Sequence, residues 1–91
     1  MHRIEPCPTR RETIQQIYAA LDAPSWAAPN LDALADVLRD LAWREPGPIE
    51  LAWQPSAELP KADLSAIHAV LTAAVASTAH TARPVRFRLL P

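Results

Sequence analysis

The spacing of apolar residues along the chain predicts its most informative helix. Over residues 30–41 the apolar positions recur at intervals of three and four, which places on one helical face Leu31, Leu34, Leu38 and Leu41. Asn30 can cap this helix, because its side-chain oxygen can accept a hydrogen bond from a free amide of the first turn. We therefore expect a helix over residues 30–41 with the leucine face buried.

Two further helices are predicted on either side. Thr9 followed three residues later by Glu12 forms a capping box, and apolar residues then repeat at helical spacing over residues 10–21. Asp63 can cap a third helix over residues 64–78, whose apolar face is expected to consist of Ile67, Val70, Leu71 and Val75.

Three strands complete the pattern. Residues 2–5 can form a short strand that ends before the prolines, and residues 48–53 can form an apolar strand. Residues 85–89 alternate between apolar residues and arginines, which predicts a strand with one apolar face or with a face covered by the arginine stems. The order strand, helix, helix, strand, helix, strand predicts an α/β fold with a small parallel sheet. Ninety-one residues with 49 % hydrophobic content favour a single domain over residues 1–91.

The predicted central helix also concentrates negative charge. Asp32, Asp36 and Asp40 follow one another at steps of four, so they form a ridge that faces away from the leucines. One interpretation is a solvated face on which Asp36 pairs with Arg39. The other is a docking face for a cationic partner.

Trp26 lies in a loop over residues 22–29 that leads into this helix. A large aromatic in such a loop is either a lid over the edge of the core or an exposed anchor for a partner.

Arg10 and Arg11, in the first turn of the preceding helix, are either a solvated pair or a functional basic spot.

Composition argues against several classes of function. A net charge of -1 gives no global attraction to nucleic acid or membrane, and the basic cluster of Arg83, Arg86 and Arg88 lacks interleaved exposed aromatics. Cys7 is the single cysteine, which fits a reducing compartment. No segment has the length and apolarity of a membrane span or a signal peptide, so we expect a cytoplasmic protein.

No pattern of a catalytic or metal site is present. His2, His68 and His80 fall in separate elements, and Gly47 is the single glycine, which disfavours a phosphate-binding loop. The aspartates lie on an exposed face, without the burial that raises the pKa of a general acid. The sequence therefore predicts no cofactor, no metal and no enzymatic activity.

Three segments together resemble a known family. Asn-Leu-Asp-Ala-Leu at residues 30–34 is preceded by Pro-Ser-Trp-Ala-Ala at 24–28 and followed by Pro-Ile-Glu-Leu-Ala-Trp at 48–53. In this order they resemble the barstar family, intracellular inhibitors of the secreted bacterial ribonuclease barnase. The resemblance covers most of the chain and implies a three-stranded parallel sheet with about three to four packed helices.

The resemblance also implies a binding site. In that family the acidic helix and its preceding loop plug the ribonuclease active site, and carboxylates occupy places otherwise taken by RNA phosphates. Asp36 resembles the principal acid and Asp32 the second acid, while Asn30 and Leu31 correspond to contacts at the start of the helix. Trp26 corresponds to the aromatic residue that stacks on the enzyme.

The chain departs from the family at several of these positions. Ala28 stands in place of a glycine, Ala35 in place of a tryptophan, and Ala76 lies near an acidic contact of the family. Asp40 stands in place of a glycine and would restore part of the lost charge. The connection after the acidic helix is also about three residues longer, so the resemblance leaves the identity of the target open.

We therefore predict a partner surface and a partner class. The predicted partner-binding residues are Trp26, Ala28, Asn30, Leu31, Asp32, Ala35, Asp36, Arg39 and Asp40. The implied partner is an extracellular bacterial ribonuclease, either barnase-like or of the guanyl-specific type secreted by streptomycetes. The alternative is a barstar-like interaction module or antitoxin that binds a different basic protein.

Overall fold

A computed structural model describes residues 1–91 and shows the predicted alternation of strands and helices. The elements in chain order are β1 (His2–Ile4), α1 (Arg10–Leu21), α2 (Leu31–Arg39), β2 (Ile49–Trp53), α3 (Lys61–Thr78) and β3 (Val85–Leu89). The α/β class is confirmed, and the number of helices is three.

The three strands form one parallel sheet in the order β1-β2-β3, with β2 at its centre. Leu51 of β2 pairs with His2 of β1 on one side and with Phe87 of β3 on the other. Parallel neighbours need a crossover connection, which α1 and α2 provide between the first two strands and α3 between the last two.

The core lies between the sheet and the helices. Alternate residues of β2, Ile49, Leu51 and Trp53, are buried against side chains of all three helices. The opposite face of β2 presents Glu50 to solvent, and exposed arginines flank it on the outer strands: Arg3, Arg86 and Arg88. Ala52 lies on this face between Arg3 and Arg88 and is still buried, as expected if arginine stems cover it.

Local signals set both ends of α1 at the predicted residues. The Thr9 hydroxyl oxygen accepts a hydrogen bond from the Glu12 amide at 3.2 Å, as a helix cap does. At the other end Asp22 adopts a left-handed conformation, with φ of 55°, and the Ala23 amide donates to the Tyr18 carbonyl.

The prediction that Asp63 caps α3 is wrong. The helix begins at Lys61, directly after Pro60, and the Leu64 amide donates to the Pro60 carbonyl at 3.0 Å. Proline has a φ that suits the start of a helix and loses no bond there, so the helix can begin three residues early. Asp63 lies in its first turn, where it forms a 3.7 Å ion pair with Arg10.

The predicted apolar face of α3 is rotated slightly from the observed one. The fully buried positions are Ile67, Leu71, Ala74 and Thr78, whereas Val70 and Val75 are only partly buried at the sides. Alanine carries a weak hydrophobic signal, so its burial at position 74 was missed.

None of the helices is long and apolar enough to cross a membrane.

Candidate binding surface

The start of α2 is fixed by its own sequence. Asn30 is extended, and its side-chain oxygen accepts a hydrogen bond from the Ala33 amide at 2.8 Å. The Asn30 carbonyl also accepts from the Leu34 amide at 3.0 Å. The predicted cap is therefore confirmed, and it holds the first turn of the acidic helix in a defined position.

The end of α2 differs from the prediction, and this changes the acidic ridge. The helix stops at Arg39, and the backbone of Asp40 is extended. The Asp40 side-chain carboxylate accepts a hydrogen bond from the Ala42 amide at 3.3 Å. Such a local bond competes with helix formation, which explains the early end. Asp40 is therefore not a third member of a helical row, and only Asp32 and Asp36 lie on the helix.

The leucine face is buried as expected, with two differences. Leu34 and Leu38 are fully buried, and Leu41 remains in the core although it lies beyond the helix. Val37 is also fully buried and was missing from the predicted face. Leu31 packs against the core as predicted but is only partly buried, so part of its side chain is accessible at the start of the helix.

Asp36 points outward and is paired with an arginine of its own helix. Its carboxylate contacts the Arg39 guanidinium three residues later, and both side chains are 62 % exposed. Exposed pairs of this kind contribute about 0–1 kcal/mol to stability. A partner that offers a better-placed cation can therefore take over the Asp36 carboxylate at little cost.

Trp26 is the most exposed aromatic side chain of the molecule, at 71 %. The loop that carries it is ordered by backbone hydrogen bonds from Ala27 to the Pro24 carbonyl at 3.0 Å and from Asn30 to the Ala28 carbonyl at 2.9 Å. The interpretation of Trp26 as a lid over the core is therefore wrong. Its indole ring is available in the free protein.

Tyr18 ties this loop to α1, which the sequence analysis did not anticipate. Its hydroxyl donates to the carbonyl of Ala28, itself exposed, at 2.7 Å. Burial raises the pKa of Tyr18, and the negative charge of Asp36 raises it further. The signal in the sequence was a hydroxyl-bearing residue at an otherwise apolar helical position.

Arg10 lies beside the start of the acidic helix. It lines a shallow concavity with Asn30, Leu31 and Asp32, and it also pairs with Asp63 of α3. The positive charge of Arg10 therefore moderates the negative potential around Asp32. Periodicity could not reveal this, since the two residues belong to different helices.

Ala35 and Arg39 line a groove between α2 and α3 with a volume of about 300 Å³. The rest of its lining comes from one side of α3 and is mostly apolar: Ala69, Val70, Ala73, Ala74 and Ser77. Ala76 is exposed on the same helix but is not part of this lining. The groove exists because alanine side chains end at Cβ and leave the space between the helices unfilled.

The predicted contact residues all lie on one continuous segment of the chain. Residues 22–40 contain four aspartates and one arginine, so the segment carries a net charge of -3 where the whole chain carries -1. No group of three or more His, Cys, Asp or Glu side chains is arranged to hold a metal ion. The charge distribution favours contact with a cationic surface.

The fold and this surface define a small parallel α/β protein that presents an acidic, capped helix and an exposed tryptophan to solvent. A family model described as Barstar (barnase inhibitor) matches residues 2–90. The chain therefore belongs to the barstar family, which is a family of ribonuclease inhibitors and not of enzymes. No curated protein and no solved structure matches the chain.

Proposed function

We propose that this protein inhibits a secreted bacterial guanyl-specific ribonuclease by inserting α2 and the loop before it into the active site. The observation that carries the proposal is the exposed Asp36 carboxylate, held on a capped helix and opposed only by a weak surface pair with Arg39. Asp32 and Trp26 lie on the same segment and extend the contact surface.

The proposed mechanism is electrostatic mimicry of RNA. A ribonuclease active site must present cationic and hydrogen-bonding groups to stabilise the phosphoryl transition state. Carboxylates form strong charge-assisted hydrogen bonds with arginine, lysine and protonated histidine. Asp36 in place of a phosphate would satisfy these groups, while the inhibitor itself undergoes no reaction.

A rigid contact surface favours binding of the ribonuclease. Asn30 fixes the first turn of α2, and the Tyr18 hydroxyl holds the preceding loop at the Ala28 carbonyl. Association loses less conformational entropy when the contact residues are already ordered. We place the inhibitor in the cytoplasm, where it would protect the cell from its own ribonuclease before secretion.

Two matched variants test the proposal. The inhibition constant against barnase and against a streptomycete guanyl-specific ribonuclease is measured for the wild type, Asp36→Asn and Glu50→Gln. Both substitutions remove one carboxylate charge, but Glu50 lies on the face of the sheet opposite the helices. Loss of one member of a buried charge pair costs about 2–5 kcal/mol, a range taken partly from the barnase–barstar complex of this same family.

We expect Asp36→Asn to weaken inhibition of at least one of these ribonucleases about thirtyfold or more, with Glu50→Gln unchanged. Equal potency of all three proteins, or no inhibition of either enzyme by the wild type, would contradict the proposal. Binding of a different basic protein that depends on Asp36, without inhibition of any ribonuclease, would instead support an interaction module or antitoxin.

A further inference from the structure

The groove between α2 and α3 lies beside the Asp36 carboxylate, which we propose enters the active site of the ribonuclease. Ala35 and Arg39 of its lining are one residue before and three residues after Asp36 on the same helix. A partner whose active site encloses Asp36 must therefore bring the rim of that site over the groove. The groove and the acidic surface form one continuous contact area.

The size and lining of the groove define what can occupy it. Its volume is about 300 Å³, and an apolar cavity of about 150 Å³ is already large enough to bind benzene. Alanine and valine side chains form most of the lining, and Arg39 supplies its one charged group. An aromatic ring fits both features, because its edges can contact the apolar floor while its face meets the guanidinium.

Binding of the enzyme to Asp36 would break the ion pair between Asp36 and Arg39. In the free protein its guanidinium contacts the Asp36 carboxylate. Once a cation of the enzyme takes that carboxylate, Arg39 loses its partner and remains at the edge of the groove. A cation–π contact with an inserted ring would compensate for this loss.

We infer that the groove between α2 and α3 receives an aromatic side chain from the rim of the ribonuclease active site, and that it selects among ribonucleases by this residue. The inference rests on the proposed function, since it concerns the same partner. In this inference Ala35 and Ala73 determine specificity, because their small side chains keep the groove open, whereas Asp36 makes the charge contact.

A pair of alanine-to-leucine variants tests the groove. Ala73→Leu places a branched side chain in the groove at a position that is exposed in the free protein, so the core is not disturbed. Ala19→Leu adds the same atoms to an exposed position of α1 and serves as control. Alanine and leucine have similar helix propensities, so neither change should unfold its helix.

We expect Ala73→Leu to raise the Kd for the inhibited ribonuclease at least about tenfold, as loss of an interface anchor does, and Ala19→Leu to leave it unchanged. Alanine replacements of the residues at the rim of the enzyme's active site, aromatic and non-aromatic alike, identify the inserted side chain, which we expect to be aromatic. One of them should weaken binding about tenfold with the wild-type inhibitor and much less with Ala73→Leu.

The outcomes separate this inference from the proposed function. If Asp36→Asn abolishes inhibition while Ala73→Leu binds as tightly as Ala19→Leu, the groove inference is wrong and the proposed function stands. Coupling of Ala73→Leu to an aliphatic or polar rim residue would refute the aromatic assignment. A wild-type dimer in sedimentation that dissociates on Ala73→Leu but not on Ala19→Leu would show that a second copy covers the groove, which also overturns the inference.

Discussion

At the scale of single residues, Tyr18 links the stability of the free protein to the order of its contact loop. Its hydroxyl donates to the Ala28 carbonyl at 2.7 Å. We expect Tyr18→Phe to lower the free energy of unfolding by about 0.5–1.5 kcal/mol, the usual net value of such a bond. Urea unfolding at pH 7 measures this change, and Tyr18→Phe should also weaken binding of the ribonuclease through a less ordered loop.

The same residue predicts a pH dependence at high pH. Burial, followed by the charge of Asp36, raises the pKa of Tyr18 above its ordinary value of 10.0. The folded protein then holds the phenolic proton more tightly than the unfolded chain, so this contribution is complete below pH 10 and is lost as the pH rises through the folded pKa. Stability above pH 10 should fall more steeply in the wild type than in Tyr18→Phe.

Single-residue features differed in how well the sequence predicted them. Asn30 was correctly assigned as a cap, because capping depends on residues three positions apart. The contacts of Tyr18 with Ala28 and of Arg10 with Asp63 join different elements, so spacing along the chain could not show them. Whether the predicted contact residues bind a ribonuclease stays a prediction that the experiments above address.

At the scale of whole elements, Thr78 joins the end of α3 to the start of β3. Its hydroxyl donates to the Ala74 carbonyl at 2.7 Å and accepts from the Val85 amide at 2.8 Å. Thr78→Val keeps the shape but leaves the buried Val85 amide without a partner, which costs about 1–3 kcal/mol. Thermal unfolding should show a lower Tm for Thr78→Val than for Thr72→Val, an exposed control on the same helix.

A Tm for Thr78→Val equal to that of the control would mean that water or a backbone shift satisfies the Val85 amide. We would then assign the junction between α3 and β3 to apolar packing around Val85 and not to this hydroxyl.

The bounds of the elements show where local rules suffice. Both ends of α1 were predicted, because each is set by residues within one turn. The start of α3 was missed by three residues, because Pro60 can precede a helix as readily as Asp63 can cap one. The end of α2 was missed because the side chain of Asp40 bonds to the backbone of Ala42, a local alternative to the helix that periodicity does not weigh.

At the scale of the molecule, one arginine connects the long loop after α2 to both β1 and α1. Arg44 approaches the His2 ring at 3.3 Å and donates to the Leu21 carbonyl at 2.9 Å. Burial lowers the pKa of His2, and the positive charges of Arg44 and the N-terminus lower it further. The loop after α2 is therefore anchored next to a titratable group.

This arrangement predicts a loss of stability in mild acid. The unfolded chain binds the His2 proton more readily than the folded protein does, so the contribution is complete above pH 6.5 and is lost as the pH falls through the lowered folded pKa. His2→Gln should flatten this dependence in urea unfolding between about pH 7 and 5. A wild-type profile as flat as that of His2→Gln would show that protonation leaves the contact with Arg44 intact.

The outer strands of the sheet determine how the molecule behaves at high concentration. β1 has three residues and is soon followed by prolines, while β3 carries two exposed arginines and lies between Pro84 and Pro91. Short length, positive charge and proline each discourage a foreign strand from extending a sheet. We therefore expect little edge-to-edge polymerisation of the sheet, even when the protein accumulates to high concentration.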